Sequence, residues 1–217
     1  MINKSRNLRG KALIEYKNSL KLSQIQREVL IGTLLGDAII PLRYDRPTYL
    51  VKFEQKISKK AYIEHLYKIF EPFVGQPPKI RNIKGGGAND RQSVWFRTYQ
   101  HPCFKFYYDI FYPQNYICQK RLKRVPKIIH KLLTPRALAY WFMDDGTFKC
   151  TKTNRDYLLC SHSFPLSDQK LLRKALSKFG IVSNIHRDKN KYQLYILKSS
   201  NYIFVQNIQQ FIHPVFL

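Results

Sequence analysis

Two apolar segments that each end in an aspartate constrain this chain more than any other feature. One runs Leu30-Ile31-Gly32-Thr33-Leu34-Leu35-Gly36-Asp37-Ala38, the other Leu138-Ala139-Tyr140-Trp141-Phe142-Met143-Asp144-Asp145-Gly146. Both read as helices too apolar for a surface, so each must pack inside a fold. Each then places a carboxylate at its C-terminus, where the macrodipole disfavours it by roughly 0.3–1 kcal/mol. One such helix can be an ordinary buried helix with an Asp at its end. A pair, with 108 residues separating Asp37 from Asp145, points to a use for the acids.

Gly32 and Gly36 lie one turn apart on one helix face, so a second helix can approach closely there. Packing of the two segments around a pseudo-two-fold axis brings Asp37 and Asp145 to one end of the interface. Paired carboxylates repel unless cations lie between them. Mg²⁺ or Mn²⁺ suits such a place, since Mg²⁺ takes oxygen ligands, commonly one or two carboxylates plus water and substrate phosphate. That arrangement fits phosphodiester cleavage.

The charge balance agrees. Thirty-eight Lys and Arg against 14 Asp and Glu give a net charge of +24, an excess that calls for an anionic partner. Nucleic acid leads. A membrane is disfavoured, because no run of about 18 apolar residues exists to span one. The N-terminus, MINKSRNLRGK, lacks the apolar core of a secretory signal. It reads as a DNA-contacting arm or a transit segment. Cys103, Cys118, Cys150 and Cys160 form no C-x-x-C pair and no zinc spacing with His101 or His162. They read as buried or incidental thiols in a reducing compartment. Abundant Lys, Asn, Ile, Tyr and Phe hint at an AT-rich genome, as in an organelle, either chloroplast or mitochondrion.

Along the chain, helical and strand patterns alternate. Ser23 and Gln26 form a capping box, and Ile25, Val29, Gly32 and Gly36 continue one helical face to Asp37. Residues 48–56 read as a half-buried strand. Residues 59–73 form a helix with Ile63, Leu66, Tyr67 and Phe70 on one stripe. A glycine loop at Gly85-Gly86-Gly87 follows, flanked by Lys79, Arg81, Lys84 and Arg91. A strand over 93–100 and an aromatic helix over 101–112 close the first half. Residues 119–133 are basic. Thr134-Pro135 then starts a helix, as an N-cap followed by proline. Strands over 157–163 and 191–198 flank a helix over 168–179 with Gly180 at its C-cap, and a last helix spans about 200–212.

The two aspartate-ending segments, GTLLGDA at 32–38 and LAYWFMDDG at 138–146, resemble the LAGLIDADG motifs of homing endonucleases in the form with both motifs on one chain. LTPRALAYWFMDDG is especially similar to double-motif enzymes encoded in group I introns. The resemblance covers about residues 23–212. It implies an α+β fold of two pseudo-symmetric αββαββα units packed through their motif helices, with antiparallel sheets forming a saddle for DNA. The implied division is a basic arm at 1–22, a first unit at 23–118, a basic linker at 119–133 and a second unit at 134–217.

The resemblance also implies roles. Asp37 and Asp145 occupy the eighth motif position, the metal-binding acid. The backbone carbonyls of Gly36 and Asp144 are further ligands. Lys123, with Lys120 as second choice, matches the lysine near a scissile phosphate. A matching lysine of the second half would follow the last helix, where the chain ends at Leu217, so the two halves are expected to be unequal. Sheet ribbons in the major groove present alternate side chains to base edges. The readers proposed on that basis are Lys52, Lys56, Trp95, Arg97 and Tyr99, with Arg43 and Arg46 in the preceding turn. In the second half they are Lys149, Lys152, Arg155, Lys191 and Gln193. Arg81, Lys84 and Arg91 are assigned to phosphates. The implied activity is a metal-dependent double-strand cut in a long, asymmetric DNA target by a monomer. A family alternative is an RNA maturase that helps its host intron fold; a third reading is a decayed endonuclease that only binds DNA.

Overall fold

The computed structural model describes residues 8–43, 46–84, 91–113, 122–150 and 155–216. It contains eight α-helices and nine strands among these residues. The chain forms two compact units. One comprises Met1–Arg27 and Asp37–Tyr108, the other Glu28–Gly36 and Asp109–Leu217.

The first unit begins with α1 (Gly10–Ser19), inside the segment read as an arm. Its contacts are polar: Tyr16 Oη donates to the Pro72 carbonyl at 3.0 Å, and the Lys17 ammonium lies 4.3 Å over the Tyr99 ring. The hairpin β1 (Leu42–Arg43) and β2 (Arg46–Pro47) precedes β3 (Lys52–Lys56) and α3 (Lys60–Phe70). β4 (Lys79–Ile83) and β5 (Arg91–Arg97) follow, and α4 (Lys105–Phe111) begins in this unit and ends in the second. The three longer strands pair antiparallel in the order β3-β5-β4. Strand alternation sends Phe53, Val94 and Phe96 to the α3 side, where Tyr62, Ile63, Leu66 and Phe70 meet them. Phe53 stacks on Phe96 at 4.8 Å and packs on Phe70 at 5.0 Å. Each such ring contributes roughly 1.5–3 kcal/mol on burial.

β4 corrects the sequence reading, which took Lys79 and Arg81 as basic flanks of a loop. KIRNI is exposed at four positions and half-buried at the fifth. An edge strand exposed on both faces carries no apolar alternation, so period-2 patterning is silent there.

α2 (Gln24–Leu35) starts as its capping box predicts: Ser23 N–H donates to Gln26 Oε1 at 2.9 Å and Gln26 N–H to Ser23 Oγ at 3.2 Å. Ile25 is 47% exposed; the buried face enters the helix through Leu22 and Gln26 and continues at Val29, bypassing Ile25. From Glu28 onward the helix belongs to the second unit. There the short α5 (Ile129–Leu132) leads into α6 (Pro135–Asp145), whose Thr134 cap accepts the Ala137 N–H at 3.2 Å. β6 (Gly146–Cys150) and β7 (Arg155–Leu159) follow directly, then α7 (Leu166–Ser177), β8 (Ser183–Asp188), β9 (Lys191–Ile196) and α8 (Asn201–Ile208).

The strand order is β6-β7-β9-β8, all antiparallel. Leu159, Leu194 and Ile196 face the helices, and Phe204 packs on Phe142 and Tyr157 at 5.3 and 5.2 Å. No helix among the described residues is long and apolar enough to cross a membrane.

Candidate active site

Within the second unit the two aspartate-ending helices pack against each other through α2 glycines. A Cβ on Gly32 would stand 2.8 Å from Tyr140 Cβ and 3.0 Å from the Ala137 carbonyl carbon, and closer still to the Ala137 oxygen. Only a residue without a side chain lets the backbones approach so far. At Gly36 the same atom would meet Asp144 Oδ2 at 2.6 Å. The Asp144 side chain therefore lies across the end of α2. Near the start of α6, Arg136 Nε donates to the Glu28 carboxylate at 3.0 Å, while its guanidinium lies 4.5 Å from the Phe211 ring centre. The helices are thus fixed in register by an ion pair at one end and close packing along the rest.

Asp145 is the last residue of α6, and its carbonyl accepts the Cys160 N–H at 2.8 Å. The Cys160 thiol is pushed up by burial and by the nearby charges of Asp145 and Asp188, which disfavour the thiolate. The Lys123 ammonium donates to the Gly36 carbonyl at 2.6 Å. The lysine and the carbonyl singled out in the sequence therefore touch, although 87 residues separate them.

In the first unit, Asp37 is exposed, and Gln55 Nε2 donates to its Oδ2 at 2.7 Å. Gln55 was not singled out in the sequence. A signal was present: Gln55 follows Val51 and Phe53 on the buried side of β3, a polar residue at an apolar position, and it is only 8% exposed. Buried amides are retained where they have a partner, and here the partner is the aspartate.

The β3-β5-β4 register sets which way the candidate readers of the first sheet point. Lys52 pairs with Arg97, Glu54 with Trp95, Lys56 with Ser93, Lys79 with Trp95, Arg81 with Ser93 and Ile83 with Arg91. Lys52, Lys56, Arg81, Arg91 and Arg97 therefore share one face, opposite Phe53 and Phe96. Trp95 is on that face, half-buried, with the Lys52 ammonium 5.5 Å above its ring. Tyr99 lies beyond the strand, against Gly75.

Glu54, overlooked in the sequence, sits among these cations. It pairs with Lys52, accepts from Ser93 Oγ at 2.6 Å and lies 4.0 Å from Arg81. Burial raises its pKa, but hydrogen bonds from Lys52 and Ser93 and the charges of Lys52 and Arg81 outweigh that and hold it below the usual range.

Lys84 follows β4 and is exposed. In the second sheet Lys191 and Gln193 project away from the face of Leu194 and Ile196. Lys149 and Arg155 have their backbones in β6 and β7, and Arg43 and Arg46 in β1 and β2; the side chains of these four lie outside the described residues. Lys120 and Lys152 lie outside them entirely.

The donor chemistry fits a hard divalent ion. Among the described residues no three His, Cys, Asp or Glu gather into a cage. Each motif segment ends in oxygen donors: the Gly36 carbonyl and the Asp145 carboxylate in the second unit, and the Asp37 carboxylate in the first. Mg²⁺ is bound in this way, through one or two carboxylates with water and phosphate oxygens filling the rest. A soft or four-coordinate protein cage is not what these residues could form.

Residues 27–204 match the model of the LAGLIDADG DNA endonuclease family. The chain is 32% identical over 211 residues to "Probable intron-encoded endonuclease 1" of Wickerhamomyces canadensis, covering 94% of this chain and 88% of that one. It is 25% identical over 193 residues to the cytochrome b mRNA maturase bI2 of Saccharomyces cerevisiae, covering 86% of this chain and 45% of that one. Among solved structures it is similar to the homing endonuclease I-WcaI bound to its DNA recognition sequence, with a TM-score of 0.85 and 29% identity over 98% of this chain and 94% of that one.

Proposed function

The chain belongs to the LAGLIDADG DNA endonuclease family, and from that premise we propose that Asp37, Asp145 and Lys123 carry out its cut. It is a homing endonuclease: it recognises a long, asymmetric duplex and hydrolyses a phosphodiester in each strand. Asp37 and Asp145 are the metal-binding acids, with backbone carbonyls of Gly36 and Asp144 as further ligands. The bound ion, Mg²⁺ or Mn²⁺, supplies Lewis-acid stabilisation of the attacking and leaving oxygens.

The chain's own residues do the rest. Gln55 orients the Asp37 carboxylate through its 2.7 Å hydrogen bond. Lys123 stabilises the charge that develops on the phosphate, or polarises the attacking water. The basic faces hold the duplex: Lys52, Lys56 and Arg97 address bases with Lys191 and Gln193, while Arg81, Lys84 and Arg91 hold phosphates.

The single observation that carries this assignment is the Lys123 ammonium on the Gly36 carbonyl at 2.6 Å. The candidate lysine meets there the carbonyl oxygen of the residue that precedes the eighth-position acid of the first motif. The test is cleavage of a duplex spanning the insertion site of the host intron. With Mg²⁺ the protein makes a double-strand cut; with EDTA it binds but does not cut. Asp37→Asn and Asp145→Asn each lose cutting while retaining binding. Undiminished cutting by both variants refutes the assignment.

We further place the host element as a group I intron in an organelle genome, on the resemblance of LTPRALAYWFMDDG and the AT-biased composition. Both motifs lie on one chain, so the active form is a monomer. A maturase role is a second reading, supported by the similarity to the cytochrome b mRNA maturase. A splicing assay with the host intron RNA tests it separately.

A further inference from the structure

The segment that bears Lys123 has no regular secondary structure from residue 122 to 126. A lysine side chain carries about 2 kcal/mol of rotamer entropy, so a loose backbone beneath it would spread the ammonium over many positions. The backbone here is not loose. Arg124 N–H donates to the Phe111 carbonyl at 2.7 Å. On its other side the segment is gripped by Asp168, in the first turn of α7.

Asp168 is 3% exposed and satisfied on both oxygens. Its Oδ2 accepts Arg124 Nε at 2.9 Å and the Val125 N–H at 2.9 Å. Its Oδ1 accepts Arg124 Nη2 at 2.8 Å and Ser167 Oγ at 3.2 Å. Planar guanidinium and carboxylate meet in a fork, which fixes direction as well as distance. The added bond to the Val125 N–H fixes the main chain directly. A burial this complete for a carboxylate is expected only where it is paired, and Arg124 and Val125, which supply three of its four hydrogen bonds, lie immediately after Lys123.

We propose that Asp168 is a positioning residue for cleavage: through Arg124 and the Val125 N–H it fixes the backbone from which Lys123 reaches the Gly36 carbonyl. The proposal rests on the reading of Lys123 as the catalytic lysine. A tether that served stability alone would act on the whole molecule. A tether that serves Lys123 acts on one phosphodiester, because one lysine serves one strand.

The experiment is single-turnover cleavage of the insertion-site duplex with each strand labelled separately. Wild type, Lys123→Met, Asp168→Asn and the double variant are compared in Mg²⁺. Each molecule cuts both strands, so the ratio of the two rates does not depend on how much of a variant is folded. Lys123→Met slows one strand and lets nicked duplex accumulate. Asp168→Asn slows that same strand by roughly tenfold to a hundredfold, the scale of an ångström misplacement, with the other strand and the DNA affinity unchanged. The double variant is no slower on that strand than Lys123→Met.

If Asp168→Asn does not fold, Arg124→Gln, which keeps the Val125 bond, shows the same bias at smaller size. Equal slowing of both strands by these variants, or a double variant slower than Lys123→Met, overturns the proposal while leaving Lys123 in its role. A Lys123→Met protein that cuts both strands at the wild-type rate overturns the reading of Lys123 and the proposal with it.

Discussion

Replacing Gly32 by alanine sets two effects of opposite sign against each other. In a helix interior alanine is favoured over glycine by about 0.8–1.0 kcal/mol. If α2 were held only by its own propensity, Gly32→Ala would stabilise the protein. The structure argues otherwise. The new methyl would stand 2.8 Å from Tyr140 Cβ and 3.0 Å from the Ala137 carbonyl carbon, whereas carbon atoms rest at roughly 3.5–4.0 Å. None of these neighbours is the far end of a flexible side chain, so whole helices must part by nearly an ångström. Overpacking of that kind costs about 1–3 kcal/mol.

The net effect, once the propensity gain is subtracted, runs from near neutral to a destabilisation of about 2 kcal/mol. For a protein of this size it lowers Tm by up to roughly 8 °C. The same displacement moves the helix ends that carry the acids, so cleavage falls further than stability, by up to about a hundredfold. Calorimetry or thermal melting monitored by circular dichroism reads the first quantity and single-turnover cutting the second. A Gly32→Ala protein that melts a few degrees higher than wild type and cuts normally refutes the packing argument.

Three further outcomes follow from the site and its surroundings. Gln55→Ala removes the 2.7 Å hydrogen bond to Asp37 and slows cutting by roughly 10²-fold, the scale of a lost oriented donor, with DNA affinity within twofold in a gel-shift titration. Binding weakens by about 10³–10⁵ between 50 and 200 mM salt if 6–10 phosphates are contacted, and a flat salt dependence would sink the basic-face reading. Burial pushes the Cys103 thiol up to about 12, so at pH 8 only about one in ten thousand molecules carries the thiolate. Iodoacetamide mapped by mass spectrometry should leave Cys103 unmodified at pH 8 in the native protein, and label it once urea exposes it.

The elements most legible in the sequence were those with local chemical markers. Ser23 with Gln26 and Thr134 with Pro135 announced α2 and α6 because caps are satisfied within a few residues. The α3 stripe was readable because one of its faces is buried and the other is not. β4 and β8 escaped notice for the converse reason: KIRNI and SNIHRD are mostly exposed and take their strand conformation from pairing with the next strand, β5 and β9, rather than from any apolar alternation of their own. β6 escaped because it begins at Gly146 with no break after α6.

The site divided in the same way. Asp37 and Asp145 were marked by helices whose apolar bodies demand burial. The meeting of Lys123 with Gly36, and of Gln55 with Asp37, depends on tertiary approach that periodicity does not encode. Asp168 illustrates the limit: in sequence it is an acid in the first turn of a helix, an ordinary place for one, and its link to Arg124 spans 44 residues.

The nine-residue contribution of Glu28–Gly36 to the second unit bears on how such a protein can be cut and rejoined. A break in the gene after Tyr108 separates α2 from the body it completes. The leading fragment would then expose Val29, Leu30, Leu34 and Leu35, all at most 1% accessible in the intact chain. The trailing fragment would lack the helix that covers α6. Neither piece is expected to be a soluble module when produced alone, while co-expression should return both to solution as a complemented pair. Swapping halves between relatives therefore has its natural seam at the junction of Arg27 and Glu28 as much as in the middle of the chain, and a chimera that ignores it inherits one parent's α2 against the other's α6.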